Sequence, residues 1–169
     1  KAQWLNRYPK HIIVDLRGNV NTRLEKLQNN DWSGAIFAAA GLERINLKPQ
    51  NHTVLDWMIP APAQGAMVVV TRIDDDYCTN AVEQINHEET EICTTVERNF
   101  LRTLEGGCTA PIGAIATINN NQITLQGCLL SLDGKEYLSI EKSTDKKDYL
   151  PFGDMCAKEL LNNGGAALM

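Results

Sequence analysis

Cys108 stands in Leu104-Glu-Gly-Gly-Cys-Thr-Ala-Pro-Ile-Gly113, where glycine and proline fill four of the ten positions. Glycine lets backbone approach a ligand closely, so a thiol in such a loop is open to covalent chemistry. A helix is expected to end just before it, however, and a helix C-terminus carries partial negative charge that disfavours a thiolate. Two readings stand side by side: a functional loop cysteine, or a buried structural thiol, the commoner state of free cysteine. Cys78, Cys93, Cys128 and Cys156 fall in helix or strand patterns and read as packing. No C-x-x-C pair occurs, so neither a zinc knuckle nor a thioredoxin-type site is spelled out.

Arg17, Arg23 and Arg44 form the second set. Each follows or lies near the expected end of a strand, where ligands gather in a parallel sheet. A guanidinium grips a carboxylate through two parallel hydrogen bonds, so three converging arginines would suit a polycarboxylate. Taken singly, each also reads as a solvated surface charge. His11, His52 and His87 share no metal-ligand spacing, and no metal is expected. Leu16-Arg-Gly-Asn19 lacks both common phosphate-loop patterns.

Composition narrows the classes further. The chain has 169 residues, with 21 Asp and Glu against 16 Lys and Arg, a formal net charge of -5. That balance argues against nucleic acid, whose partners present a basic face. No apolar run approaches the ~20 residues of a membrane span. Five cysteines without close-set pairs fit free thiols in a reducing cytoplasm, where the Asn51-His52-Thr53 sequon would go unused. The chain opens Lys-Ala-Gln-Trp, without an initiator Met or a signal peptide, and reads as a portion of something longer.

The elements that must position these residues fall into two styles. Residues 1-10 read as the end of a helix closed by Pro9. His11–Leu16 and Gly34–Ala40 read as buried strands, each followed by a glycine turn, with Val20–Leu27 as a helix between them. This is the rhythm of an α/β unit with a parallel sheet. Pro60–Ala63 is a stiff connection, Met67–Thr71 a strand, and the acidic run Asp74–Asp76 a helix start. From Glu88 to Leu104 the spacing predicts an amphipathic helix, with Ile92, Val96, Phe100 and Leu104 on one face. Residues 114–118, 122–130 and 137–141 alternate and are joined by turn residues, predicting an antiparallel meander. A last helix is expected near Phe152–Leu161. The style changes near residue 86.

Several stretches resemble one family. Glu97-Arg-Asn-Phe-Leu-Arg-Thr-Leu-Glu-Gly-Gly-Cys-Thr-Ala-Pro-Ile-Gly-Ala114 looks like the cofactor-attachment segment of porphobilinogen deaminases, also called hydroxymethylbilane synthases. Asp15–Leu27 is similar to their substrate-binding strand-turn-helix, and Ala38-Ala-Ala-Gly-Leu-Glu-Arg44 to their A-x-A-G-L segment. Pro62-Ala-Gln-Gly-Ala66 resembles the GQGA turn, and Glu159-Leu-Leu-Asn-Asn-Gly164 the closing helix.

The resemblance implies a three-domain transferase of porphyrin and haem biosynthesis. Its first two domains are α/β and similar to periplasmic binding proteins, and its third is α+β. Such an enzyme condenses four porphobilinogen molecules into hydroxymethylbilane, releasing ammonia, on a dipyrromethane cofactor held by a thioether, here at Cys108. Arg17 and Arg23 carry over as binders of cofactor and substrate carboxylates, Arg44 with them, and Gly41 and Gln64 as pocket lining. Residues 1-60 would be part of the second domain, and 61-86 a segment returning to a missing first domain. Residues 87-169 would be the α+β cofactor-carrying domain. The family's catalytic aspartate would lie in that missing domain, so no catalytic residue is expected here, and the portion alone should be inactive. The implied partners are porphobilinogen and the missing N-terminal domain, with no nucleic acid and no membrane. The rival reading is a non-catalytic anion-binding α/β module with a reactive loop cysteine. An isolated α+β structural domain is a second rival, and it leaves Arg17 and Arg23 unexplained.

Overall fold

The computed structural model describes residues 1–104 and 111–169. Cys108, the residue on which the expected chemistry turns, lies outside the described residues. Contacts divide the chain into two units: Lys1–Lys10 with Trp57–Met169, and His11–Asp56.

The larger unit is α+β, built around a helix whose form follows from its sequence. Helix α5 (Glu88–Leu104) has no glycine or proline, three glutamates in its first turn and Arg102 in its last, all favourable to the helix dipole. Its Ile92, Val96, Phe100 and Leu104 are buried, as the four-residue spacing predicts. They pack on a three-stranded antiparallel sheet of β1 (Ile112–Asn119), β2 (Gln122–Leu130) and β3 (Tyr137–Asp145), in the order β1-β2-β3. Asn119 pairs with Gln122, so the first hairpin turns through two residues. Asn120 and Asn121 are both left-handed, at φ 48° and 65°, which matches the strand twist and suits asparagine. The central strand contributes Ile123, Leu125 and Leu129 to the core.

Helix α6 (Tyr149–Asn162) completes that core with Phe152, Cys156, Ala157 and Leu160. Two glycines set how closely the layers approach. A Cβ on Gly153 would lie 2.2 Å from the Val96 carbonyl oxygen, so α6 lies almost directly against the backbone of α5. A Cβ on Gly127 would lie 2.5 Å from the Phe100 ring. Across the edge of this layer, Lys142 pairs with Glu159.

A short helix, α1 (Ala2–Arg7), docks on the same unit through side chains that reach backbone. Gln3 donates to the Ile59 carbonyl at 2.7 Å and accepts from its N–H at 2.9 Å. Asn6 donates to the Gly134 carbonyl at 2.8 Å. Gly134 must be glycine here: its φ is 76°, and a Cβ would lie 2.6 Å from the Ala2 carbonyl oxygen. Helix α4 (Asp76–Glu83) starts where the acidic run predicts, with the Asp75 carboxylate accepting from the Cys78 N–H at 2.9 Å.

The smaller unit holds α2 (Val20–Asn29) and α3 (Ala39–Arg44). The strands expected at 11–16 and 34–40 run without ladder partners among the described residues, as does 67–71. Ile12 is 91% and Met67 95% exposed. A parallel strand is stable only when neighbours satisfy its backbone and cover both faces, and no described segment does so. Ala39 and Ala40, expected to end a strand, instead open α3. Gly41 therefore sits inside that helix rather than opening a turn.

Candidate functional site

In the smaller unit, one turn and the helix it starts carry two of the expected arginines. Gly18 adopts φ 124°, a conformation side chains resist, and hands the chain to Asn19. The Asn19 side chain accepts from the Thr22 N–H at 2.9 Å and caps α2. The Arg17 carbonyl accepts from Lys26 Nζ at 2.9 Å, tying the turn to the helix it starts. Arg17 is exposed on this turn, and Arg23, in the first turn of α2, is half-buried.

Arg23 carries an anomaly. Its Nε is buried and donates to no protein atom. Buried donors normally find partners, and a guanidinium nitrogen left alone is costly. Among the described residues, none of Arg17, Arg23 and Arg44 takes part in an ion pair. Arg44 ends α3 and is exposed; Gly41 lies one turn before it, half-buried, with open space where a Cβ would point. These four residues share the 11–56 unit.

Gln64 belongs to the other unit, on a turn whose shape is tightly specified. Its N–H donates to the Ala61 carbonyl and its Oε1 accepts from the Ala61 N–H, both at 3.0 Å. The residue is exposed. Ala63 is left-handed at φ 57° and Gly65 at φ 91°. This turn, α5 and residues 115–118 of β1 enclose an open groove of about 490 Å3.

Glu97 lines that groove and was not among the expected site residues. It is 7% exposed. Its Oε1 accepts from the Ala116 N–H at 2.8 Å and its Oε2 from the Ala63 N–H at 2.6 Å. Burial pushes its carboxyl above the ordinary value of 4.5, against the pull of those two N–H groups and of Arg98. The available signal was its place on the inner face of α5, one turn before Leu101 and one after Cys93, with no base at either position.

The sign of that shift gives a prediction. A carboxyl raised on folding favours the proton, so its contribution to stability is full below 4.5 and is lost as pH rises through the raised value. Urea midpoints of the protein and of Glu97→Gln are therefore expected to move relative to each other between about pH 4 and about pH 8, the protein losing ground as pH rises. A gap constant over that range contradicts the assignment.

The described cysteines are all held as thiols. Burial raises Cys128 to about 11, against a hydrogen bond from Gly113, and raises Cys156 to about 11. Burial and the nearby Glu97 and Glu89 raise Cys93. Cys78, read as a packing residue, is exposed on α4. Its thiol is raised by the hydrogen bond to Asp75. Of these four, Cys78 is expected to be alkylated first at neutral pH, and Cys128 and Cys156 only on unfolding, as peptide mapping would read. Fast labelling of Cys128 in the folded chain would contradict the packing.

Comparison with known proteins finds one family along the chain. Residues 1–80 match the family model described as "Porphobilinogen deaminase, dipyromethane cofactor binding domain", and residues 91–162 that described as "Porphobilinogen deaminase, C-terminal domain". The arginines lie in the first span, and Cys108 in the second. The porphobilinogen deaminase of Campylobacter jejuni (strain RM1221) is 39% identical over 173 residues, covering 100% of this chain and 56% of its own length. That of Exiguobacterium sp. is 36% identical over 171 residues, covering 99% and 55%. That of Chlorobium chlorochromatii is 37% identical over 174 residues, covering 99% and 56%. The chain thus spans just over half the length of these relatives, and with both models matched in order along it, it belongs to the porphobilinogen deaminase family.

Proposed function

We propose that this chain is the cofactor-carrying part of a hydroxymethylbilane synthase, a transferase that condenses four porphobilinogen molecules with loss of ammonia. The observation that carries the reading is Arg23, whose buried Nε lacks a protein partner in the helix that follows the turn presenting Arg17. Both stand in the motif by which the family holds carboxylates. Each pyrrole of the cofactor and substrate brings two carboxylates, so a guanidinium left unpaired by the protein fits the group. A dipyrromethane held at Cys108 would supply the covalent primer for pyrrole addition.

The chain's own residues have definable tasks in this reading. Arg17 and Arg23 bind and orient carboxylates, and Arg44 adds positive charge in the same unit. Gln64 offers the two N–H donors of its amide. Gly41, with open space above it, lets a ligand approach α3. A thioether at Cys108 needs one capture of an electrophilic pyrrole methylene, so the loop need not keep a thiolate through every turnover. That removes the objection raised by its place after a helix C-terminus.

Residues 1-60 then belong to a periplasmic-binding-protein-like α/β domain, and 61-86 return to a preceding α/β domain. The extended segments 11–16, 34–40 and 67–71 would gain ladder partners there. Residues 87-169 form the α+β cofactor domain. The catalytic aspartate belongs to the preceding domain, so the 169-residue chain is inactive alone. Function in the cytoplasm, without nucleic acid or membrane, follows from the same reading.

Arg23→Ala in the longer protein tests it. Loss of a charged hydrogen bond to a carboxylate is worth about 1.5–3 kcal/mol, so porphobilinogen turnover should fall roughly 10- to 100-fold with circular dichroism unchanged. Turnover within about twofold of the parent, below the range for such a bond, contradicts the role.

A further inference from the structure

We propose that Glu97 is a positioning residue: its buried carboxylate latches the Pro60–Ala66 turn, with Gln64 on it, onto the helix that leads to residue 108. The latch stands on geometry alone; its consequence for Gln64 as a ligand donor rests on the function proposed above.

β1 is an edge strand, and the backbone N–H groups of Ala114 and Ala116 point away from β2. An edge strand needs its outward donors satisfied or covered. Ala114 donates to the Pro60 carbonyl at 2.9 Å, which brings the turn alongside. Two residues on, Ala116 donates to Glu97 Oε1, and Glu97 Oε2 accepts from Ala63. One carboxylate thus bridges two backbone donors, Ala63 and Ala116, that are far apart in sequence. The side-chain acceptor on the turn, Gln64 Oε1, is already engaged by the Ala61 N–H.

The turn needs such a fixture. Ala63 at φ 57° sits in the left-handed region, which a residue with a Cβ rarely adopts. Such a conformation persists only where its surroundings determine it. The Ala63 N–H bond to Glu97 supplies that determination and so fixes where the next residue, Gln64, points. Burial of the carboxylate opposes its ionisation more strongly than the two N–H groups favour it. Of the charged and titratable groups around it, Arg98, Cys93 and Glu89 lie on α5 and His87 just before it. The turn and residues 115–118 bring none.

The test uses the 169-residue chain and nuclear magnetic resonance of its amides. If one carboxylate serves both donors, the Ala63 and Ala116 amide protons should titrate together, with one midpoint above 4.5. In Glu97→Gln, one acceptor oxygen is replaced by an NH2 group that cannot accept. The shared titration should vanish, and Ala63 exchange should speed up about tenfold, while Ile123 and Leu125 in β2 keep their protection. Separate midpoints, or equal loss of protection at Ala63 and across β2, would overturn the latch. Should the variant fail to fold, the titration of the unmodified chain decides the matter. None of these readouts depends on cofactor or substrate, so failure of the latch is separable from failure of the proposed function.

Discussion

Gly153→Ala is expected to destabilise the α+β unit by about 3 kcal/mol or more, against what helix propensity alone dictates. Gly153 lies inside α6, where alanine would ordinarily be preferred by about 1 kcal/mol. Its missing Cβ is what lets α6 lie on α5. The new atom would meet the Val96 carbonyl oxygen at 2.2 Å and the Phe100 N at 2.9 Å. Those are backbone atoms of a buried helix and cannot swing aside, so the two helices must separate. The sheet-facing core of Phe100, Leu104 and Leu160 would then lose contact on both sides. Urea unfolding measures the effect. A midpoint equal to or above that of the parent would mean that propensity governs and the close approach is absent. Gly41→Ala in α3 is the natural contrast, since nothing lies within 4 Å of its added Cβ.

The second large effect falls on Cys108→Ser in the longer protein, where porphobilinogen turnover should be lost altogether. A serine oxygen is nearly isosteric but far less nucleophilic than a thiolate, and it cannot form the thioether. The four described cysteines cannot take over. Cys128 and Cys156 are buried, with values near 11, and Cys93 and Cys78 are also raised. Turnover retained in the variant would remove the anchor from Cys108. Complete loss together with unchanged circular dichroism would assign the loss to the anchor rather than to the fold.

The readable parts of the molecule were those whose signals are local. The four-residue spacing from Ile92 to Leu104, the paired asparagines at 120 and 121, and the strand alternation on either side of them each predict their element from neighbours in sequence. α5, the meander and α6 accordingly stand where the pattern puts them. The segments 11–16, 34–40 and 67–71 are β-rich but depend on partners distant in sequence, and no described residue pairs with them. Their composition was legible; their ladder was not.

The site divides along the same line. Arg17 and Arg23 are legible as candidates because a short motif carries both. Glu97 is not legible from sequence, because an acid on a helix looks like any surface glutamate until its two backbone donors are located. One of those donors, Ala63, is brought to it only by the left-handed turn. The helical setting of Cys78 predicts packing, yet the residue is exposed on α4. Helical spacing predicts a face, and which face is covered depends on what packs there.

The central claim is that this chain carries a covalent two-pyrrole group at Cys108. Its most direct test is the intact denatured mass of the longer protein beside that of its Cys108→Ser variant. A mass excess of two linked pyrrole units in the parent, absent from the variant, is the predicted result. Equal agreement of both with their sequence masses would contradict it and leave an arginine-bearing module that binds carboxylates without carrying the chemistry.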